Sequence, residues 1–138
     1  AASVLQQASR IDALICNAAI AQVAVQKLTV DGFESQLAEN HYSHFLLCGL
    51  LFSRIAESSG RVVVVGSNGY KMGPKEVINF DDMNFDNKYT DWNAYCHSKL
   101  AQHIFAYALQ RRVKAAGKDV VVQMCHPGAS RTNLIEYD

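Results

Sequence analysis

The sequence predicts an α/β fold built on a parallel sheet, and three observations carry that prediction. Three short runs, "IDALICNA" at 11–18, "RVVVVGS" at 61–67 and "DVVVQMCHPG" at 119–128, are β-branched and almost continuously apolar. Strands buried on both faces read this way. Two long helical patterns separate the runs, so strand, helix and strand alternate. Such connections are right-handed almost without exception, which makes three neighbouring parallel strands the simplest product.

Taken in order, residues 2–9, "ASVLQQAS", read as the last turns of a helix. The run 11–18 is the first strand. A helix then begins at Asp31, where Glu34 three residues on resembles a capping box, and runs to about Ser58, stopping at Gly60. The second strand follows at 61–67. A second long helix begins near Asp91, reaches about Ala116 and closes at Gly117 before the third strand. Both long helices fall on one face of the sheet. A doubly wound sheet needs helices on both faces, and the sequence offers only the 2–9 stub for the other. The chain therefore reads as part of a larger domain whose first half is missing.

The 138 residues suffice for one domain with a real core. Acidic and basic residues number 13 each, with no run of like charge, which argues against a nucleic-acid binder. No apolar run reaches membrane-spanning length. The N-terminus "AASVLQQASRID" lacks a signal-peptide pattern. Cys16, Cys48, Cys96 and Cys125 are widely spaced with no C-x-x-C pair, which predicts reduced, mostly buried thiols in a cytoplasmic type of protein. The five histidines, His41, His44, His97, His103 and His126, show no metal-ligand pattern. Asp81, Asp82 and Asp86 do not fit a calcium loop.

In open α/β sheets the ligand lies beyond the carboxyl ends of the strands. Asn17, Ser67 and "HPG" at 126–128 stand there. The second long helix starts on the same side and brings Tyr95 and Lys99 to that edge. Their i, i+4 spacing puts a phenol and an ammonium on one helical face. A phenol titrates near 10, and bringing it to neutral pH takes about 4 kcal/mol of differential stabilisation. A nearby ammonium favours the phenolate. With a serine hydroxyl to hold a carbonyl or alcohol oxygen, the set suits general acid–base chemistry at that oxygen.

Tyr-x-x-x-Lys at 95–99 resembles the active-site motif of the short-chain dehydrogenase/reductase family. So do "GRVVVVGS", "IDALICNAA", "AENHYSHFLL" and "CHPGASRTNL", five elements in order along nearly the whole chain. The resemblance implies a partial Rossmann-like, doubly wound parallel sheet, with residues 1–138 forming a single partial domain, the C-terminal catalytic half. It implies an NAD(P)-dependent oxidoreductase interconverting an alcohol with a ketone or aldehyde. By that resemblance Tyr95 is the proton donor or acceptor. Lys99 lowers its pKa and hydrogen-bonds the nicotinamide ribose. Ser67 orients the substrate oxygen, and Asn40 holds a water linking Lys99 to solvent. Pro127, Gly128 and Thr132 line the nicotinamide pocket. Asn17 fixes the neighbouring strand, with Ala18 beside the cofactor. "EVINFDDMNFDNKYTDWN" resembles the insert of the retinol dehydrogenase-like branch, which implies a small lipophilic carbonyl or alcohol substrate.

Plainer readings stand beside these. Asn40 aligns with Leu37, His44 and Leu47, as a structurally bonded core asparagine would. Ser67 precedes Asn68-Gly69, a common turn pair. Tyr95 and Lys99 also read as a solvated helix pair, and Tyr89 and Trp92 as helix-entry packing or as a substrate lid. The family's Gly-x-x-x-Gly-x-Gly turn is absent, as is the strand after which NAD and NADP are told apart. Ala19 stands where the family prefers glycine and Cys16 where it often has asparagine. A second function class, a non-enzymatic interaction module, draws on the absent turn. The unpaired edge of the first strand predicts a chain that is either unstable alone or associated with another copy as a homo-oligomer. The Tyr95, Lys99, Ser67 and Asn40 set favours the enzyme. A flavodoxin-type nucleotide binder lacks a phosphate loop after any strand.

Overall fold

The computed structural model describes residues 1–73, 77–128 and 134. Helix α1 (Ala2–Gln7) leads to strand β1 (Ala13–Cys16). Helix α2 (Ser35–Leu37) widens into a π turn (Ala38–Tyr42) and continues as α3 (Ser43–Glu57) into strand β2 (Arg61–Val65). A 3₁₀ turn (Asn68–Lys71), helix α4 (Asp91–Ala115) and strand β3 (Val121–Cys125) complete the order. The strands form one parallel sheet, β1-β2-β3, in the predicted sequence of neighbours. Its register aligns Cys16 with Val64 and Val65 with Cys125.

Alternation along the strands sorts the sheet into two faces. Leu14 and Cys16, Val62 and Val64, and Val122 and Met124 pack with Cys48, Leu51 and Ile55 of α3 and with Ala106 and Val113 of α4. Both long helices thus cover one face, as the crossovers require. On the other, Ile15 is 61% and Val121 46% exposed.

The first long helix does not begin at Asp31. Glu34 is itself the N-cap, with its carboxylate accepting from the backbone N–H groups of Gln36 and Leu37 at 2.9 and 2.8 Å. Its own N–H donates to Asn84 Oδ1, fifty residues away, so a long-range contact sets the start. The helix ends where expected, with Ser58 as its C-cap, but the left-handed residue of the turn is not the glycine. Ser59, not Gly60, takes the left-handed conformation (φ 49°), with Ser59 and Gly60 N–H groups bonded to the Ala56 and Ile55 carbonyls. This is a Schellman ending whose C′ residue is a serine. Gly60 is needed for room: a Cβ there would stand 2.6 Å from the Ile11 carbonyl oxygen. Helix α4 closes as expected on Gly117 (φ 60°), with Lys118 N–H bonded to the Val113 carbonyl.

Candidate active site

The parallel register carries Asn17, Ser67 and Pro127 past the same edge of the sheet, since Gly66 N–H still bonds to the Cys125 carbonyl at 2.9 Å. Thr90 caps α4 by accepting from Asn93 N–H at 3.2 Å, which starts the helix where Tyr95 and Lys99 lie in its first turns. Tyr95 is 7% and Lys99 3% exposed, so the solvated-pair reading is excluded. The Lys99 ammonium sits 5.7 Å from the Tyr95 ring centroid, within cation–π range. Its recorded hydrogen bond, to the Val65 carbonyl, is long at 3.5 Å. Burial pulls its pKa down to about 8.

Gly69 is where Ser67 and Tyr95 converge. A Cβ at Gly69 would lie 3.0 Å from Tyr95 Cε1 and 3.3 Å from Ser67 Oγ. Ser67 Oγ accepts from Gly69 N–H at 3.1 Å and caps the 3₁₀ turn. Its hydroxyl proton remains to be donated elsewhere. The turn-residue reading of Ser67 is thus compatible with a role at an incoming oxygen. Trp92 stacks on Tyr95, with centroids 5.7 Å apart and planes at 26°. Tyr89 donates to the Val23 carbonyl and accepts from Gln36 Nε2 at 3.2 Å, which packs it at the helix entry.

Asn40 occupies the π turn and is fully buried. Its Oδ1 accepts from Ile20 N–H at 2.8 Å, and its Nδ2 donates to the Ile20 carbonyl at 3.0 Å and to Ser98 Oγ at 2.8 Å. Ser98 Oγ in turn donates to the Tyr95 carbonyl at 2.7 Å. Both amide hydrogens of Asn40 are therefore spent on brackets between elements. Its main-chain carbonyl faces His44 Nδ1 at 3.0 Å. The core-asparagine reading describes this side chain. Ser98 and Gly69 were not singled out from sequence. For Ser98 the only signal is its place beside Lys99 and three residues after Tyr95.

Asn17 and Ala18 lie exposed beyond β1, and Pro127 and Gly128 exposed beyond β3. Gly128 has φ 74° and donates its N–H to His126 Nδ1 at 2.8 Å. Thr132 lies outside the described residues. Asp82 closes its own loop by accepting from Asp86 and Asn87 N–H groups at 2.7 and 3.2 Å. Among the described residues no group of three His, Cys, Asp or Glu is placed to hold a metal ion. No helix among them is long and apolar enough to cross a membrane. A cavity of about 680 Å³ opens between α3 and α4, and one of about 400 Å³ adjoins Asn93, Cys96 and His97. None of Ser67, Tyr95 and Lys99 lines either.

Parallel strands, crossover helices and a polar set at the carboxyl edge make this an α/β protein of Rossmann-like architecture. The family model for short chain dehydrogenases matches residues 1–81. Human retinol dehydrogenase 14 is 46% identical over 131 residues, covering 94% of this chain and 37% of its own length. A crystal structure of an uncharacterised protein from Mycobacterium paratuberculosis is 44% identical with a TM-score of 0.82, over 96% of this chain and 47% of that one. A short-chain dehydrogenase from Sphingobium yanoikuyae, solved with NADPH, shares the fold at 24% identity and a TM-score of 0.66, over 96% of this chain and 48% of that one. The chain belongs to the short-chain dehydrogenase family and is similar to retinol dehydrogenases. It spans well under half the length of the retinol dehydrogenase it matches.

Proposed function

We propose that this chain carries the acid–base half of an NAD(P)-dependent oxidoreductase acting on a small lipophilic alcohol, aldehyde or ketone. One observation carries the reading: a buried ammonium, Lys99, stands beside a buried phenol, Tyr95, that converges with Ser67 on Gly69. An ammonium held near pKa 8 by burial, with one long hydrogen bond among the described residues, has room for further acceptors. Ribose hydroxyls fit that need, so Lys99 would hold the nicotinamide ribose, with Pro127, Gly128 and Ala18 around the ring and Asn17 fixing the strand end. When bound, nicotinamide gives or takes the hydride.

The rest is the work of this chain's own residues. Ser67 donates its hydroxyl proton to the substrate oxygen and orients it. Tyr95 exchanges a proton with that oxygen, and the Lys99 charge favours the phenolate over the phenol. Asn40 and Ser98 fix the backbone on which Tyr95 stands. The lipophilic substrate class is supported by the likeness to retinol dehydrogenases.

The test is titration of the chain with NADH and NADPH, followed by cofactor fluorescence. We expect saturable binding that Lys99→Ala weakens at least tenfold. Tyr95→Phe should leave binding within about twofold and abolish turnover of lipophilic aldehydes, since the lost phenolic proton is required in the chemical step. Absence of binding up to millimolar cofactor would overturn the reading and leave an interaction module as the better account.

A further inference from the structure

We propose that Cys16 and Cys48 are a modification site: a small neutral peroxide converts them to an internal disulfide that straps β1 to α3. The inference does not depend on the proposed activity.

Cys16 ends β1 on its helix-covered face, and Cys48 lies midway along α3. Though 32 positions apart in sequence, their sulfurs stand 3.8 Å apart, with the residues 1% and 2% exposed. A disulfide needs the sulfurs roughly 1.8 Å closer, a shift that rotation about the two Cα–Cβ bonds is proposed to supply. Each sulfur is held against the other by a packed core, so the pair is already in register.

Access comes from one side. Cys48 lines the apolar cavity of about 680 Å³ between α3 and α4. Beside it, Gly49 has open space where a side chain would project. An uncharged oxidant the size of hydrogen peroxide fits that route, whereas a charged peptide disulfide does not. Cys96, also buried, has no recorded sulfur partner, and Cys125 is exposed beyond the core.

The chemistry balances in two steps. Cys48 sulfur attacks a peroxide oxygen, the O–O bond breaks, and the thiol proton leaves with the second oxygen as water, giving a sulfenic acid. Cys16 sulfur then attacks the Cys48 sulfur, the S–O bond breaks, and a second water leaves. Two thiols and one peroxide thus give a disulfide and two waters, two electrons passing from sulfur to oxygen. Access sets the order, because Cys48 lines the cavity and Cys16 does not. The hydrogen bond from Cys48 lowers the pKa of Cys16 against the effect of burial, which suits Cys16 to the second attack. The same contact and burial push the Cys48 thiol up, so the first attack is the slow step.

The experiment uses the chain with Cys125→Ser, which removes the exposed thiol. It is treated with hydrogen peroxide while folded, alkylated in denaturant, and cut with trypsin. We expect peptide 11–27 linked to peptide 28–54, lighter by two hydrogens and separated by dithiothreitol, with Cys96 still alkylated. The extent of linking should not change with protein concentration. Cys16→Ala and Cys48→Ala should each abolish the link, with melting curves to show that both remain folded. Should either variant unfold, the peptide map of the unmutated pair still decides. Separate alkylated peptides, separate sulfinic or sulfonic acids, or a link formed only in unfolded chain would overturn the proposal.

Discussion

Lys99 sets an unusual cost at the level of a single residue, because it is a buried ammonium with no carboxylate paired to it among the described residues. Its pKa falls from 10.5 to about 8 by burial. The folded chain gives up this proton near pH 8 and the unfolded chain near 10.5, so between those values the unfolded state binds more protons. Stability therefore rises with pH across that window. Below about pH 8 both states hold the proton and the burial cost is carried in full. The Lys99→Met variant should lack the rise, which is on the order of 3 kcal/mol, and should be more stable than the parent at pH 7. Urea midpoints of both chains at pH 7, 8, 9 and 10 check this. A constant difference between them across the series would mean that Lys99 is not desolvated. A ligand hydroxyl accepting from Lys99 would offset part of that cost, which ties this stability effect to the proposed ribose contact.

At the level of elements, the two helix endings make a matched comparison. Helix α4 places glycine at the left-handed C′ position, whereas α3 places Ser59 there and spends its glycine one residue later. Ser59→Gly should then stabilise the chain by about 1 kcal/mol, because a non-glycine residue in that conformation costs that much. Gly60→Ala should destabilise it by several kcal/mol, since its Cβ would meet backbone at Ile11 that cannot rotate away. Thermal melts of the two variants give the signs directly, and the reverse order would refute this account of the turn. The elements that sequence reading placed well, three strands and α4, are defined by local apolar runs and by a local cap at Thr90. The start of α2 was misplaced because Asn84 and Leu28 help to set it from a distance. The π turn was invisible because "AENHYS" has no local mark of it: its cause is Asn40 bonding to Ile20 and Ser98. The site divides the same way. Tyr95 and Lys99 are legible in their spacing, and Ser67 in its place after a strand. Gly69 and Ser98 matter through contacts that only the fold creates.

For the molecule as a whole, the described residues cover the sheet on one side and the long helices on one side. Ile15 and Val121 are bare on the sheet, and Phe45, Leu46, Leu50 and Ile104 stand about half or more exposed on the long helices. Apolar patches of this kind mark contact surfaces. The chain should therefore associate as its concentration rises, with sedimentation velocity as the measurement, and the double variant Leu50→Glu, Ile104→Glu should shift it toward monomer without lowering its melting temperature. A single monomeric species at every concentration would show that these faces do not seek each other. The bracket at Asn40 acts on this same scale. It joins the loop after β1, the π turn and the first turns of α4 through buried donors. Its consequence is a matter of timing: the amide of Ile20, a loop residue, cannot meet solvent deuterium until Asn40 lets go, and Asn40 lets go only when two helices part. Hydrogen exchange at Ile20 should run as slowly as at Val62 or Val64, so that the loop next to the site opens only when the whole molecule does.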